Sequence, residues 1–407
     1  MQGQKTLILS SLSEILCPNG CVNKNWIELM DYWAKFEFVI LRLWVLIAVV
    51  SVEATHADMA EKIQVPEGFE VKVFSDKVPN ARSMALGDGG IVYVGSRTEG
   101  KVYALKDSNN DGMADQVYII ASDLTLPNGV AYLDGSLYVA EVPRLIRFNG
   151  ITSKLNKPPP FEIVYDWFPT KLHHGWKYLR VGPDGMLYLP IGAPCNVCRE
   201  KKEIFATIMR ISPEGDDLEI VARGVRNSVG FDWHPQSGAM FFSDNGRDWM
   251  GDDLPPDELN HLSSDDLHFG FPFCHGDRYL DTEFGIDDSC TNYTPPAWLF
   301  PAHSAPLGIR FYTGDQFPKE YKNQLFVAQH GSWNRSEPVG YRIVLVKFKN
   351  AKPVASKIFA KGWLDASNVV RGRPVDLLQL PDGSLLVSDD KNGAIYRISY
   401  PSNHNSR

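Results

Sequence analysis

Two adjacent histidines, His173 and His174 in the stretch KLHHGWKYL, offer a base that titrates near neutral pH. Other polar residues gather in a few short segments. Arg226 and Asn227 lie in GVRNSVG, and an acidic run, SDNGRDWMGDDLPPDELNHL, fills 243–262. His303 lies in PAHSAPLG, His330 and Arg335 in QHGSWNR, and Arg371 and Arg373 in RGRPVD. Guanidinium groups grip carboxylates and phosphates with two parallel hydrogen bonds, so Arg226, Arg371 and Arg373 brought to one place imply a polyanionic ligand. The acidic, glycine-bearing loop offers the oxygen ligands that a hard cation such as calcium takes. A solvated loop residue accounts for any one of these segments. The set needs a common position in the fold.

A repeat supplies that position. MALGDGGIVYVGS (84–96), VAYLDGSLYVAE (130–141), LRVGPDGMLYLPIG (179–192), FDWHPQSGAMFFSDNG (231–246) and LLQLPDGSLLVSDD (377–390) share one pattern, with a looser copy at 309–331. Each reads as strand, tight turn, strand. The Asp-Gly turn suits a hairpin because glycine reaches positive φ cheaply. Third strands follow as KVYAL, RLIRF, TIMRI, RIVLVKF and AIYRISY. The copies lie roughly 45–70 residues apart, the range of propeller blades. No long amphipathic helix interrupts them. The pattern predicts an all-β, six-bladed β-propeller of four-stranded antiparallel blades, with a sandwich as the alternative. The last copy lacks a fourth strand, and FEVKVFS (69–75) is placed to supply it and close the ring. Loops that enter the inner strands of a propeller converge on one mouth of its channel. The polar segments stand just before a copy or just after its second strand, where a scatter of surface charge would not repeatedly fall.

The 407 residues carry 44% hydrophobic and 22% charged side chains, a globular composition. A net charge of −8 without a basic run argues against a nucleic-acid partner. Residues 38–50, FVILRLWVLIAVV, are too short for a membrane span of roughly 20 residues but fit the apolar core of a secretory signal. Cleavage is expected after Ala57, so that 1–57 is extension and signal, 58–407 is one catalytic domain, and no stable membrane span remains. A periplasmic or secreted protein is implied. Removal of 1–57 also takes Cys17 and Cys21 and leaves Cys195, Cys198, Cys274 and Cys290 as disulfide candidates, with CNVC read as a structural bridge or loop clip. A separate signal is DSNNDGMAD. Asp107, Asn109, Asp111 and Asp115 take calcium-loop positions around Gly112, but Tyr118 stands where the bidentate Glu belongs. A calcium loop and an acidic hairpin turn account for it equally.

The segments HHGWKYLRVGPDGMLYLPIG, GVRNSVGFDWHP, SDNG, PPDELN, FGFPFCHG, AHSAPLG and GRPVDLLQLPDG, in this order, resemble the soluble sugar dehydrogenases that use pyrroloquinoline quinone, the glucose/sorbosone dehydrogenase family. The resemblance covers about residues 65–400, and GAPCNVC looks closest to the sorbosone and aldose dehydrogenase branch. It implies oxidation of an aldose or aldehyde sugar by hydride transfer to the quinone. His174, five residues before Leu179, matches the family's base, and Arg226 matches the arginine that stabilises charge on the quinone oxygen. Gly246 and Arg247 match backbone-carbonyl ligands of a calcium ion acting as Lewis acid. The cofactor set implied is Asn128, Asn227, Asn245, Asp257, His303, His330, Arg335, Arg371 and Arg373, with His330 or Arg335 in place of a family lysine. The family's glucose branch has Gln and Pro where this chain has Asn245 and Arg247. The electron acceptor implied is a periplasmic cytochrome or quinone. The competing readings are a calcium-dependent lactonase, which needs acidic ligands around a channel metal, and a non-catalytic binding propeller.

Overall fold

The turn Asp134–Gly135 shows how the hairpins form. Both residues have positive φ, 46° and 79°, as a two-residue turn of this hand requires. It joins Gly129–Leu133 to Ser136–Ala140, whose apolar residues alternate onto neighbouring sheets.

A computed structural model describes residues 58–401, and these form six antiparallel sheets around a channel. Blade one holds Ala81–Leu86, Val92–Ser96, Val102–Lys106 and Gln116–Ala121. Blade two adds Leu145–Phe148 and Glu162–Tyr165 to the hairpin above. Blade three holds Arg180–Val181, Leu187–Ile191, Thr207–Ile211 and Glu219–Arg223, with Leu267–His268 paired parallel at its edge. Blade four holds Phe231–Trp233, Met240–Asp244, Asp257–Leu262 and Trp298–Phe300. Blade five holds Pro306–Phe311, Leu325–Gln329, Arg342–Lys349 and Lys352–Lys361. Blade six takes Pro374–Gln379, Leu385–Asp389 and Ala394–Ser399, and its outer strand is Glu70–Ser75, paired antiparallel from Glu70–Ser399 to Val73–Tyr396 with a register shift before Ser75–Ile395. The segment at 69–75 therefore closes the ring, as the sequence predicts.

The run 243–262 ends in a strand that the repeat does not announce: Asp257–Leu262 is the third strand of blade four, paired with Met240–Asp244 and buried on both faces through Leu259 and Leu262. The insertion 263–297 then separates it from its outer strand and carries the Cys274–Cys290 disulfide.

Six apolar clusters fill the seams, one between each pair of neighbouring blades. Phe241, Ile309 and Val327 sit between blades four and five, each almost wholly buried. Truncating such a phenylalanine to alanine costs about 3–5 kcal/mol. Polar stitches supplement this packing near the channel. Asp232 accepts from Phe311 N at 2.8 Å and Asp376 from Met84 N at 2.9 Å, each tying one inner strand to the next. The apolar stretch 38–50, Cys17, Cys21 and the expected cleavage after Ala57 lie outside the described residues. No helix among the described residues is long and apolar enough to cross a membrane.

Candidate active site at one mouth of the channel

His174 ends a loop that its neighbours force into one shape. Its φ is +47°, a left-handed conformation that costs a non-glycine residue energy. Two close approaches hold it there. A Cβ on Gly175 would stand 2.2 Å from Lys171 O, and one on Gly192 would stand 2.6 Å from His174 Cβ. Buried Lys177 donates to Val142 O at 2.6 Å and Gly175 O at 3.1 Å, anchoring the loop from below. Burial pushes the Lys177 ammonium down to about 7, against the pull of Glu141.

The loop delivers His174 to a cavity of about 540 Å³ at the mouth where the inner strands begin. His174 is 8% exposed, and its Nδ1 lies 2.8 Å from Ala193 O. A carbonyl only accepts, so Nδ1 carries the proton and Nε2 of the neutral ring keeps its lone pair. Burial, then the Arg226 cation, hold the imidazole well below its ordinary range. His173 also lines the cavity, more exposed, with its ring 4.1 Å from that of His174.

Arg226 is set by the end of its own blade. Asp244 accepts from Arg226 N at 2.8 Å and from Asn227 N at 2.6 Å. Asp389 holds Arg373 N, and Glu141 holds Thr125 N, in the same way. A carboxylate at or just past the end of a second strand thus clamps the loop entering its own blade. Asp244 and Glu258 face each other across blade four, and burial raises both carboxyls. The Arg226 guanidinium donates to Asn196 O (2.8 Å), Asn196 Oδ1 (2.9 Å), Asn245 O (3.0 Å) and Asp248 Oδ2 (3.3 Å). Four of its five N–H groups are thereby used, and one on Nη1 is left.

Across the cavity stands a cationic wall. Arg82 pairs with Asp390 at 3.0 Å, and His330 Nε2 lies 2.9 Å from the same carboxylate. Burial pushes His330 down to about 4, while His330 and Arg82 hold Asp390 below the carboxylate range despite its burial. Arg97 lies 4.0 Å over the Trp176 ring and Arg373 5.4 Å from the Tyr341 ring centre. Among the described residues neither forms an ion pair, although Arg373 donates to His330 O at 3.2 Å and to Gly331 O. Arg97 Nε and Trp176 Nε1 are buried without a partner among the described residues. This mouth holds donors that the protein does not spend on itself, which fits a flat ligand carrying carboxylates.

Against this geometry the comparisons are informative. Residues 213–401, from the outer strand of blade three to the end of the ring, match the model of the TrAA12-like family. An uncharacterized protein of Borreliella burgdorferi is 37% identical over 366 residues, which cover 86% of this chain and 94% of that protein. The two chains belong to one family. A pyrroloquinoline quinone-dependent pyranose dehydrogenase of Coprinopsis cinerea is 34% identical over 128 residues, 26% of this chain and 16% of that protein. The holo form of the quinone domain of pyranose dehydrogenase from the same organism superposes with a TM-score of 0.71 at 19% identity, over 83% of this chain and 97% of that one, and so shares the fold. The resemblance to quinone-dependent sugar dehydrogenases therefore holds.

The cavity brings together His174, Arg226, Asn227, Asn245, Gly246, Asp257, His303, His330 and Arg373. Asp257 joins two of their loops, accepting from Gly246 N at 2.9 Å and Ala305 N at 2.8 Å. Burial raises its carboxyl to about 6. His303 Nε2 lies 2.8 Å from Gly251 O.

Three residues of the expected cofactor set do not line the cavity. Asn128 is wholly buried and does not line the cavity; it accepts from Arg82 Nε at 2.8 Å and donates to Lys177 O at 2.7 Å, so it positions both walls. Arg335 binds Asp252 O and Asp253 instead of lining the cavity. Arg371 is half exposed and pairs with Asp365 on the surface. The Arg247 side chain turns from the cavity to Asp281, although no donor among the described residues bonds the Gly246 or Arg247 carbonyl. The loop at 107–115 lies in blade one between its third and outer strands. Its side chains bond its own backbone: Asp115 to Ser108 N (2.6 Å), Asp107 to Gly112 N (2.9 Å) and Asp111 to Met113 N (2.8 Å). Among the described residues no cluster of three or more His, Cys, Asp or Glu is arranged to hold a metal. Arg82, Arg97 and Trp176 were missed. Arg82 and Arg97 flank the first hairpin at the place already used to choose the other segments, and that rule would have found them.

Proposed function

We propose that the protein is a quinone-dependent sugar oxidoreductase acting on an aldose or aldehyde sugar. The observation that carries the reading is the mouth itself, where the unprotonated Nε2 of His174 and the spare N–H of Arg226 share a cavity with Arg82, Arg97 and Arg373. Bound there, pyrroloquinoline quinone would supply a two-electron acceptor for hydride from the sugar carbon. The Arg82, Arg97 and Arg373 guanidiniums hold carboxylates, and Trp176 offers a flat face. His174 Nε2 takes the proton of the substrate hydroxyl. The spare N–H of Arg226 would be available to an oxygen on which negative charge grows. Trp333, edge-on to Trp249 at 5.3 Å, gives the rim an apolar face for a sugar ring. The carbonyls of Gly246 and Arg247 suit a calcium ion at the same mouth. The apolar segment at 38–50 suits export of the domain at 58–407, so that a periplasmic cytochrome or quinone would collect the electrons.

The test is reconstitution. Purified protein given the quinone and calcium should bind the quinone and reduce a dye with some member of an aldose panel, and a calcium chelator should remove the activity reversibly. Absence of both quinone binding and reduction overturns the reading, and lactone hydrolysis with calcium alone would put the lactonase in its place.

A further inference from the structure

The segment 193–198 touches every group the proposed chemistry uses on the His174 side. Ala193 O accepts from His174 Nδ1, and Ala193 N donates to Arg226 O at 2.8 Å. Cys195 and Cys198 are disulfide-bonded and close a clip around Asn196. Asn196 then spends its backbone O and both side-chain groups locally. Its backbone O and its Oδ1 take Arg226 Nε and Nη2 side by side, at 2.8 and 2.9 Å. The same Oδ1 accepts from Asp248 N at 2.8 Å, and Nδ2 donates to Asp248 O at 3.1 Å. Asn196 does not line the cavity.

We propose that Asn196, presented by the Cys195–Cys198 clip, is the positioning residue that aims Arg226 at the reacting oxygen while leaving its charge intact. The inference rests on the oxidoreductase reading for its catalytic meaning, but the geometry stands by itself. A guanidinium must be fixed in direction to act on growing charge, and a carboxylate doing the fixing would cancel the field it serves. Asn196 supplies two neutral oxygens in the spacing a guanidinium edge requires. The one carboxylate in the set, Asp248, makes the longest contact, at 3.3 Å. An asparagine is also needed because only its Nδ2 can bond Asp248 O while Oδ1 bonds Arg226. The segment has no regular secondary structure, so the disulfide joins the hydrogen bonds above in limiting its wandering.

The experiment compares Asn196→Ala and Asn196→Asp with the wild type in the whole chain. In the loaded enzyme, Asn196→Ala should lower kcat about 10- to 100-fold and leave the sugar KM within about twofold, because an aimed donor acts in the transition state. Asn196→Asp keeps the shape and adds charge, and should lower kcat comparably. A purely structural role would make it nearly silent. The second readout needs no cofactor: titration of the His174 ring by NMR in the quinone-free protein. The charges facing that ring are Arg226, His173 and Arg97. Loosening or neutralising Arg226 should move the His174 midpoint upward in both variants. Reducing the clip with a phosphine in a Cys274→Ala/Cys290→Ala background should move it the same way.

If neither variant changes the His174 midpoint, the inference is overturned, whatever the activity. If the midpoint moves while the wild type neither binds quinone nor reduces dye, the positioning stands and the oxidoreductase reading falls. Should Asn196→Ala not fold, Asn196→Asp and the reduced clip decide.

Discussion

The two ends of the channel carry similar residues and spend them differently. At the end where the inner strands finish, Arg180 and Arg310 meet Asp232 and Asp376. Arg180 pairs with Asp232 at 2.9 Å, Arg310 Nε donates to Leu377 O at 3.0 Å, and both aspartates also stitch neighbouring strands. Two cations face two carboxylates. At the opposite end, among the described residues, Arg97 Nε and Trp176 Nε1 are buried with no hydrogen-bond partner, while Arg373 donates to His330 O and Gly331 O. Arginines at a channel mouth thus do not by themselves mark a site. Donors left unsatisfied in a buried place do, because leaving them so costs about 1–3 kcal/mol each unless a ligand takes them.

The sharpest way to test that contrast is His174. Alanine there should lower dye reduction about 10²- to 10⁴-fold while quinone binding, followed by absorbance, stays near wild type. His173→Ala should cost less than about tenfold, and the reverse order would move the chemistry to the neighbouring ring. Next come the arginines. Arg97→Ala or Arg373→Ala should each weaken quinone binding by about 10- to 100-fold, as loss of a charge-assisted contact does. Arg310→Met at the far end should leave binding within about twofold, and an equal loss at both ends would erase the distinction. Disrupting the blade-four insertion with Cys274→Ser/Cys290→Ser should remove about 2–4 kcal/mol of stability, measured by denaturant unfolding, with a smaller effect on turnover. The smallest effect concerns pH. The Glu258 carboxyl is raised by burial and by Asp244. A raised carboxyl favours the fold at acid pH, and that stability is lost as pH climbs from the ordinary carboxylate range through the raised value. Glu258→Gln should therefore flatten the fall of Tm from pH 5 to 9, and an unchanged slope would assign the fall to other groups.

Much of the ring was legible because hairpins are local. The Asp-Gly turns, the apolar second strands and the closing segment 69–75 each announce themselves within a few residues. Blade four was harder, because Asp257–Leu262 carries acidic residues whose pairing partner Met240–Asp244 buries them, and burial of Glu258 and Asp257 is invisible in a linear pattern. The site was legible in position more than in role. The place before an inner strand found Arg226, His303 and Arg373, yet it also admitted Arg371, whose side chain turns outward to Asp365. Asn128 and Asn196 act through others, and nothing in their local sequence says which neighbour they hold.

The sequence alone determined the repeat, the blade count, the ring closure and the stretch of chain from which each polar residue reaches the mouth, since all of these follow from turn chemistry and a two-residue period. Only the tertiary structure decided which nitrogen of His174 is free, which arginines keep unspent donors and which carboxylates are used up on backbone N–H groups. Those outcomes depend on partners that stand far apart in the chain, 308 residues in the case of Arg82 and Asp390. A hydrogen bond is settled by distance and direction, and only the folded ring supplies these.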